Sequence, residues 1–155
     1  MKQTSAILLA CLLSASAAAT SIPSRELAEL VTDADHVVIA TVTKVSMVDG
    51  DGKEIKDREG RTGPGLKNEI RLHLEVKEVL FSTAPEASKE MIVRLWRMWH
   101  YSLGGIQDTT LGNTSIFLLK GPAHDPVYPQ QFERPLQERA HIERLLSARK
   151  KPTRA

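Results

Sequence analysis

The segment from Ile70 to Lys77 limits the possible folds of this chain more than any other part of the sequence. Apolar side chains occupy every second position in it, and charged or polar side chains occupy the positions between. Only an extended strand brings alternate residues to one face, so the segment predicts a β-strand with one buried and one exposed face. The alternation stops at residues 79–81, which predicts a β-bulge or bend there.

Three other segments have the composition of strands. β-Branched residues dominate positions 37–45, and large apolar residues dominate positions 91–99 and 115–119. Because such side chains pack well on a pleated surface, each segment predicts a strand. Residues 49–67 are rich in glycine and in charge, and they predict a long, mobile hairpin loop between the first two strands.

Helices are expected on both sides of the strand region. Apolar positions recur at helical spacing after Ser24, a predicted N-cap, and again from Leu136 to Lys150, where Pro135 suits the first helical position. Residues 121–135 hold four prolines and predict an irregular surface connection. Another loop is predicted around three glycines, Gly104, Gly105 and Gly112. The expected fold class is mainly β, as a small antiparallel barrel or curved sheet with a short N-terminal helix and a C-terminal amphipathic helix.

Three segments carry a resemblance to a known fold family: residues 34–42 (ADHVVIATV), 74–80 (LEVKEVL) and 115–120 (SIFLLK). Together they resemble the oligosaccharide- and oligonucleotide-binding (OB) barrel in its secreted, netrin-like form, which includes the tissue inhibitors of metalloproteinases. The resemblance implies an OB-like barrel. Those inhibitors chelate the protease metal with a mature amino-terminal cysteine, which this sequence does not provide, so the resemblance implies the fold and not that activity.

Residues 1–19 have the pattern of a cleavable export signal. A positive charge precedes an apolar run that ends in small residues, Ala17 and Ala19, as signal peptidase requires. The short, alanine-rich signal is typical of bacteria, so we expect a periplasmic or secreted protein. Residues 20–150 are expected to form one domain, and residues 151–155 a basic tail. No later apolar run reaches the roughly 20 residues that span a bilayer, so no transmembrane segment is expected.

Cys11 is the only cysteine, and it lies inside the predicted signal. Leu8 to Cys11 resembles a lipoprotein processing box, but the apolar run continues beyond it, so a lipid anchor is not expected. Removal of the signal leaves a chain without cysteine, which excludes disulfides, thiolate catalysis and cysteine-bound zinc. The formal net charge of +2 lacks the basic excess of a nucleic-acid binder, so no nucleic-acid partner is expected.

Metal, cofactor and catalytic motifs are not found in the sequence. Asp49 to Lys53 begins like a calcium loop, but a lysine stands where an oxygen ligand is needed, so we predict an ordinary Asp-Gly turn. The five histidines lack the spacing of zinc ligands, and no G-x-S-x-G nucleophile elbow occurs. We therefore expect no metal, no cofactor and no enzymatic activity. A small hydrolase would require the fold to bring together His100, His124 and Asp125.

The most unusual segment runs from Arg94 to Tyr101 and holds three of the seven aromatic residues, including both tryptophans. Strand alternation through it would place Trp96 and Trp99 on opposite faces. In one interpretation the tryptophans fill the core and the arginines cover its rim. In the other, an exposed tryptophan beside arginine forms a binding surface, since these residues are enriched at protein interfaces. The candidate binding residues are Arg94, Trp96, Arg97, Trp99 and Tyr101.

These features together predict an exported, non-enzymatic binding module. The predicted partner is another exported or envelope protein, as for an inhibitor or an immunity protein. The alternative is a module that binds an envelope carbohydrate through the same tryptophans, because their rings offer an apolar face with a polar edge. The small hydrolase is the third hypothesis, and the sequence leaves the oligomeric state open.

Overall fold

A computed structural model of the protein describes residues 22–84 and 88–149. The predicted signal peptide, residues 1–19, and the predicted basic tail, residues 151–155, lie outside the described residues. Within those ranges the chain is mainly β, with seven strands in one antiparallel sheet and three α-helices, including a short N-terminal helix and a C-terminal helix. The expected fold class is confirmed.

In the described residues, one α-helix precedes the strands, one lies between the fourth and fifth strands, and one follows the last strand. The strands are β1 (His36–Val48), β2 (Glu54–Ile55), β3 (Glu69–Ser82), β4 (Glu90–Arg94), β5 (Thr114–Lys120), β6 (Asp125–Pro126) and β7 (Glu133–Arg134). The helices are α1 (Leu27–Asp33), α2 (Leu103–Thr110) and α3 (Arg139–Arg149), the last preceded by a 3₁₀ turn (Leu136–Glu138). No helix in the described ranges is long and apolar enough to cross a membrane.

The sheet is open. Its strand order is β4-β3-β1-β5-β6, with β2 added to β1 and β7 added to β5. The outer strands β4 and β6 approach each other without forming a ladder, and Arg94 Nη2 lies 3.4 Å from Asp125 Oδ1 across the gap between them. The sheet is therefore strongly curved and stops short of the closed barrel that was the other expected form.

The bulge expected in the second long strand is present. Val37 of β1 pairs with Phe81 of β3, but Val38 pairs with Val79, so Leu80 has no partner in the register. Two further register shifts follow along the same pair of strands. An extra residue on one strand bends it and increases its twist, which is how a 14-residue strand follows a curved sheet.

Apolar side chains are buried on both faces of the sheet. Its concave face carries an inner core that includes Val38, Leu72 and Phe117, and its convex face carries an outer core built with α1 and α3. Successive residues of β5 alternate between them, since Ile116 contributes to the outer core and Phe117 to the inner one. A strand that is buried on both faces has consecutive apolar residues in its sequence, which explains the composition of residues 115–119.

The terminal helices differ from the sequence prediction in their first residues. α1 begins at Leu27 with Glu26 in the N-cap position and no side-chain cap bond. Ser24, the predicted cap, instead accepts a hydrogen bond from Gln131 at 3.1 Å. The C-terminal helix starts as a 3₁₀ turn at Leu136 and becomes α-helical from Arg139.

Helix α2 was predicted as a glycine-rich loop, and that prediction is wrong. Ser102 caps the helix, because its Oγ accepts a hydrogen bond from Gly105 N at 3.2 Å. Gly104 N donates to Arg58 O at 2.8 Å, and a Cβ at Gly104 would lie 3.2 Å from that same oxygen. The helix therefore uses a glycine to let the backbone of the 49–67 loop approach closely, and this tertiary contact outweighs the low helix propensity of glycine.

The 49–67 hairpin loop is tied to the rest of the fold along its length. Asp49 Oδ1 accepts hydrogen bonds from the backbone N–H groups of Asp51 and Lys53, each at 2.9 Å, which makes an Asp-Gly turn. Farther along, Arg58 Nη2 bonds Asp108 of α2 at 2.6 Å, and Gly60 O accepts from Leu103 N at 2.9 Å. The loop thus packs against α2, where the sequence had indicated a mobile segment.

Candidate functional site

The third predicted strand ends earlier than expected. Arg94 is the last residue of β4, and Leu95 N still donates to Ile70 O at 2.9 Å. Because β3 begins at Glu69, no further ladder is available beyond this point. The chain turns instead, and Trp99 N donates to Trp96 O at 3.2 Å. We call residues Trp96–Trp99 the tryptophan turn.

The two tryptophan rings of this turn lie on the same side of the chain. Their centroids are 6.2 Å apart and their planes meet at 27°, which is an offset stack. The strand alternation predicted for residues 94–101, which would separate the rings onto opposite faces, is therefore wrong. The side chain of Trp96 is 41% exposed and Trp99 is half-buried, and neither belongs to the inner or the outer core.

The remaining candidate residues divide into two groups. Arg94 is exposed just before the tryptophan turn, Arg97 is exposed within it, and Met98 within it is 51% exposed. Tyr101 instead packs against the inner core, where burial raises the pKa of its phenol. Of the five predicted binding residues, the structure thus brings four together at the surface and assigns Tyr101 to the support beneath them.

A cleft of about 470 Å³ opens beside Trp96, at the gap between β4 and β6. Its lining residues are Glu69, Arg94, Leu95, Trp96, Arg97, Asp125, Pro126 and Pro129. Three of its four charged lining residues already have partners, because Asp125 faces Arg94 at 3.4 Å and Glu69 bonds Arg71 at 2.7 Å. Arg97 makes no ion pair with any residue in the described ranges, so its guanidinium can donate hydrogen bonds to an incoming carboxylate or other acceptor.

Thr62, from the middle of the 49–67 loop, lies beneath the tryptophan turn. It is 1% exposed, and its Oγ1 donates a hydrogen bond to Trp99 O at 2.6 Å. Sequence reasoning missed this residue, since a single threonine among glycines and charged residues gives no local signal. Its role follows only from the pairing of two segments that are 37 residues apart.

The histidines considered for a hydrolase do not converge on a common site. His100 packs over Gly63, where a Cβ would lie 2.7 Å from its Nδ1. His124 lies against His36, with ring centroids 5.0 Å apart in an edge-to-face arrangement. In residues 22–84 and 88–149, no group of three or more histidine, cysteine, aspartate or glutamate side chains is arranged to hold a metal ion.

A second cleft, of about 480 Å³, surrounds the histidine pair. His36 is buried, and its Nδ1 lies 3.0 Å from Ser82 Oγ. The pKa of His124 is lowered by burial and by the neighbouring His36, and the carboxylate of Asp125 opposes part of this shift. The neutral form of the His124 imidazole is therefore favoured here near pH 7.

No family model matches the chain, and no curated protein matches it at a significant level. The physical features of the tryptophan turn and of its cleft are therefore the basis for any functional conclusion.

Proposed function

We propose that this protein is an exported, non-enzymatic binding module whose tryptophan turn contacts another exported or envelope protein, in the manner of an inhibitor or an immunity protein. The observation that carries the proposal is the exposed Trp96 ring, stacked on Trp99 and flanked by Arg94 and Arg97. Tryptophan and arginine are the residues most enriched among the energetic hot spots of protein interfaces. The export signal predicted for residues 1–19 supports the compartment.

The distribution of exposed apolar side chains also supports a protein partner. Trp96 and Met98 are 41% and 51% exposed and lie in the same four-residue turn. Leu66, 50% exposed, follows the loop turn at Gly63 on which His100 packs. Apolar side chains gathered on adjoining turns, with arginines at their rim, have the composition of an interface core surrounded by polar groups.

The proposal is tested by affinity capture with the full chain, expressed with its own signal and tagged at its C-terminus. Envelope extracts of the native organism are passed over the unsubstituted protein, Trp96→Ala and Leu136→Ala. Leu136 is the matched control, because its side chain is also 41% exposed but lies at the start of the C-terminal helical region. We expect one stoichiometric protein on the first and third baits, identified by mass spectrometry, and its loss from Trp96→Ala.

The folding of each bait is checked by far-ultraviolet circular dichroism before capture. If a folded Trp96→Ala protein retains the partner in full amount, the tryptophan turn is not the contact surface. If the folded unsubstituted protein retains nothing, the protein-binding proposal fails.

The cleft favours a second candidate function, the binding of an envelope carbohydrate. Its volume of about 470 Å³ lies in the range of small-ligand sites, and Trp96 forms one wall beside the charged groups of Glu69 and Asp125. An aromatic face next to hydrogen-bonding groups suits a sugar ring. A glycan array and a peptidoglycan pull-down test this candidate, and absence of signal in both counts against it.

A further inference from the structure

The tryptophan turn is attached to the body of the protein through one buried hydroxyl. Thr62 Oγ1 donates to Trp99 O at 2.6 Å and accepts from Tyr101 N at 3.2 Å, so both of its hydrogen-bonding roles serve this segment. The backbone of the same residue adds a third bond, because Thr62 N donates to Tyr101 O at 2.9 Å. One residue thus pairs with backbone groups on both sides of His100.

The other backbone hydrogen bonds of this segment do not anchor it. Trp99 N to Trp96 O and Tyr101 N to Trp99 O are local, and they shape the turn without fixing its position. The anchoring bonds on either side come from Leu95 N to Ile70 O and from Leu103 N to Gly60 O, each at 2.9 Å. Among the described residues, Thr62 therefore makes the hydrogen bonds that hold the middle of the segment.

We propose that Thr62 is a positioning residue, which fixes the tryptophan turn in the conformation that presents Trp96 to a partner. Removing the hydroxyl breaks its hydrogen bonds with Trp99 O and Tyr101 N at a site where Thr62 itself is 1% exposed. Trp99 O and Tyr101 N then keep only the local bond to each other, which does not attach them to the body of the protein. Buried backbone groups that lose hydrogen bonds favour a rearrangement that lets water replace the lost partner. The biological meaning of this role rests on the proposed function, but the role itself can be measured without a partner.

The test compares Thr62→Val with Thr62→Ser in the full chain. Valine keeps the branched shape and removes the hydroxyl, whereas serine keeps the hydroxyl and removes a methyl group. The protein has two tryptophans, both in the turn, so its tryptophan fluorescence reports this segment alone. We expect Thr62→Val to shift emission to longer wavelength and to increase acrylamide quenching, and Thr62→Ser to resemble the unsubstituted protein.

Binding supplies a second readout. Loss of one buried hydrogen bond moves the equilibrium between the held and the released turn by about tenfold. Partner affinity falls in proportion to the competent fraction, so we expect a loss of affinity of up to about tenfold. Partner binding by the Trp96→Ala variant tests the proposed function independently of the role of Thr62. If Trp96→Ala binds normally, the proposed function fails while fluorescence still decides the role of Thr62.

A third readout uses the unsubstituted protein, so that a Thr62→Val variant that fails to fold does not end the test. The amides of Thr62 and Tyr101 both donate hydrogen bonds in this contact. We expect them to exchange slowly with solvent in a hydrogen-exchange measurement. Unprotected exchange of both amides, or a folded Thr62→Val protein with unchanged emission and quenching, would overturn the proposal.

Discussion

The backbone of His124 is in the left-handed region, with a φ of 53°, and its ring packs edge-to-face on His36. Residues other than glycine adopt this conformation infrequently, although histidine, asparagine and aspartate do so more often than the rest. The charged and titratable groups around the imidazole are His36, Asp35 in the same cleft and Asp125 as its chain neighbour. The position therefore combines an uncommon backbone conformation with a partly buried, titratable side chain.

Stability is expected to fall on acidification because of His124. Burial and His36 lower the pKa of His124 in the folded chain, so below the ordinary histidine pKa of about 6.5 the unfolded chain binds more protons than the folded one. The contribution is fully present above that pH and is lost as the pH falls below it. His73, whose pKa is also lowered by burial, adds to the same trend.

His124→Asn isolates the contribution of His124, because asparagine tolerates the left-handed backbone and does not titrate. We predict that the free energy of unfolding falls less on acidification in the variant than in the unsubstituted protein. Chemical denaturation at a series of pH values between about 7.5 and about 5, across the range in which histidine titrates, measures this difference. Equal pH dependence in the two proteins would contradict the assignment.

Gly63 is a second residue whose backbone and surroundings are both restrictive. Its φ is +148°, and a Cβ there would lie 2.7 Å from His100 Nδ1. Gly63→Ala is expected to cost about 1–3 kcal/mol and to alter tryptophan fluorescence, because it displaces His100 next to the tryptophan turn. Gly65→Ala is the matched control, since its φ is +82° but a Cβ would contact nothing within 4 Å. Thermal unfolding and emission spectra of both variants check this; an unaltered spectrum in Gly63→Ala contradicts it.

At the scale of elements, the outer core attaches α3 to the sheet. Ile142 is fully buried among the residues that α1, β1 and β5 contribute to this core. At the end of the helix, Arg149 donates to Ala34 O at 2.7 Å and places its guanidinium 4.5 Å from the centre of the Phe81 ring. The helix is held by apolar packing along its length and by a cation at the C-terminal end of α1, where the helix dipole is negative.

Ile142→Ala should destabilise the protein by about 2–5 kcal/mol, because it leaves a cavity under α3. Leu136→Ala, at an exposed position just before α3, should change the stability by less than about 0.5 kcal/mol. Urea denaturation of both variants measures the difference. Similar midpoints would show that α3 does not depend on the outer core.

The elements that the sequence predicted are those whose side chains repeat with a regular period. The alternation at Ile70 to Lys77 and the apolar run at residues 115–119 identified β3 and β5, since burial imposes these patterns locally. Helix α2 and the end of β4 at Arg94 could not be predicted in this way. Gly104 is suited to the helix because it packs closely against the backbone of Arg58, which lies far from it in sequence. Strand β4 stops because its partner strand, β3, starts at Glu69.

At the scale of the whole molecule, the candidate site joins segments that are distant in sequence. Composition alone singled out Trp96 and Arg97, because aromatic and cationic residues are concentrated there. It could not reveal Thr62 or Asp125, which reach the site through the hairpin loop and through the approach of β6 to β4. The strand order brings these segments together, and no local pattern encodes that order.

Export is a prediction about the whole chain. We expect the mature protein to begin at Thr20, which N-terminal sequencing of the periplasmic or secreted protein would detect. Ala19→Arg should block processing, because signal peptidase requires a small residue before the cut. Ala18→Gln is the control, since the middle position of the A-x-A pattern is not restricted in the same way. A mature chain that begins elsewhere, or normal processing of Ala19→Arg, would contradict the predicted cleavage site.

The most direct test of the tryptophan turn as a binding surface is the affinity of the captured partner in solution. Titration calorimetry should compare the unsubstituted protein, Trp96→Ala and the equally exposed control Leu136→Ala. A hot-spot tryptophan is worth about 2 kcal/mol or more, so we predict an increase in Kd of about 30-fold or more for Trp96→Ala and no change for Leu136→Ala. A folded Trp96→Ala protein that binds with the original Kd would contradict the proposed function.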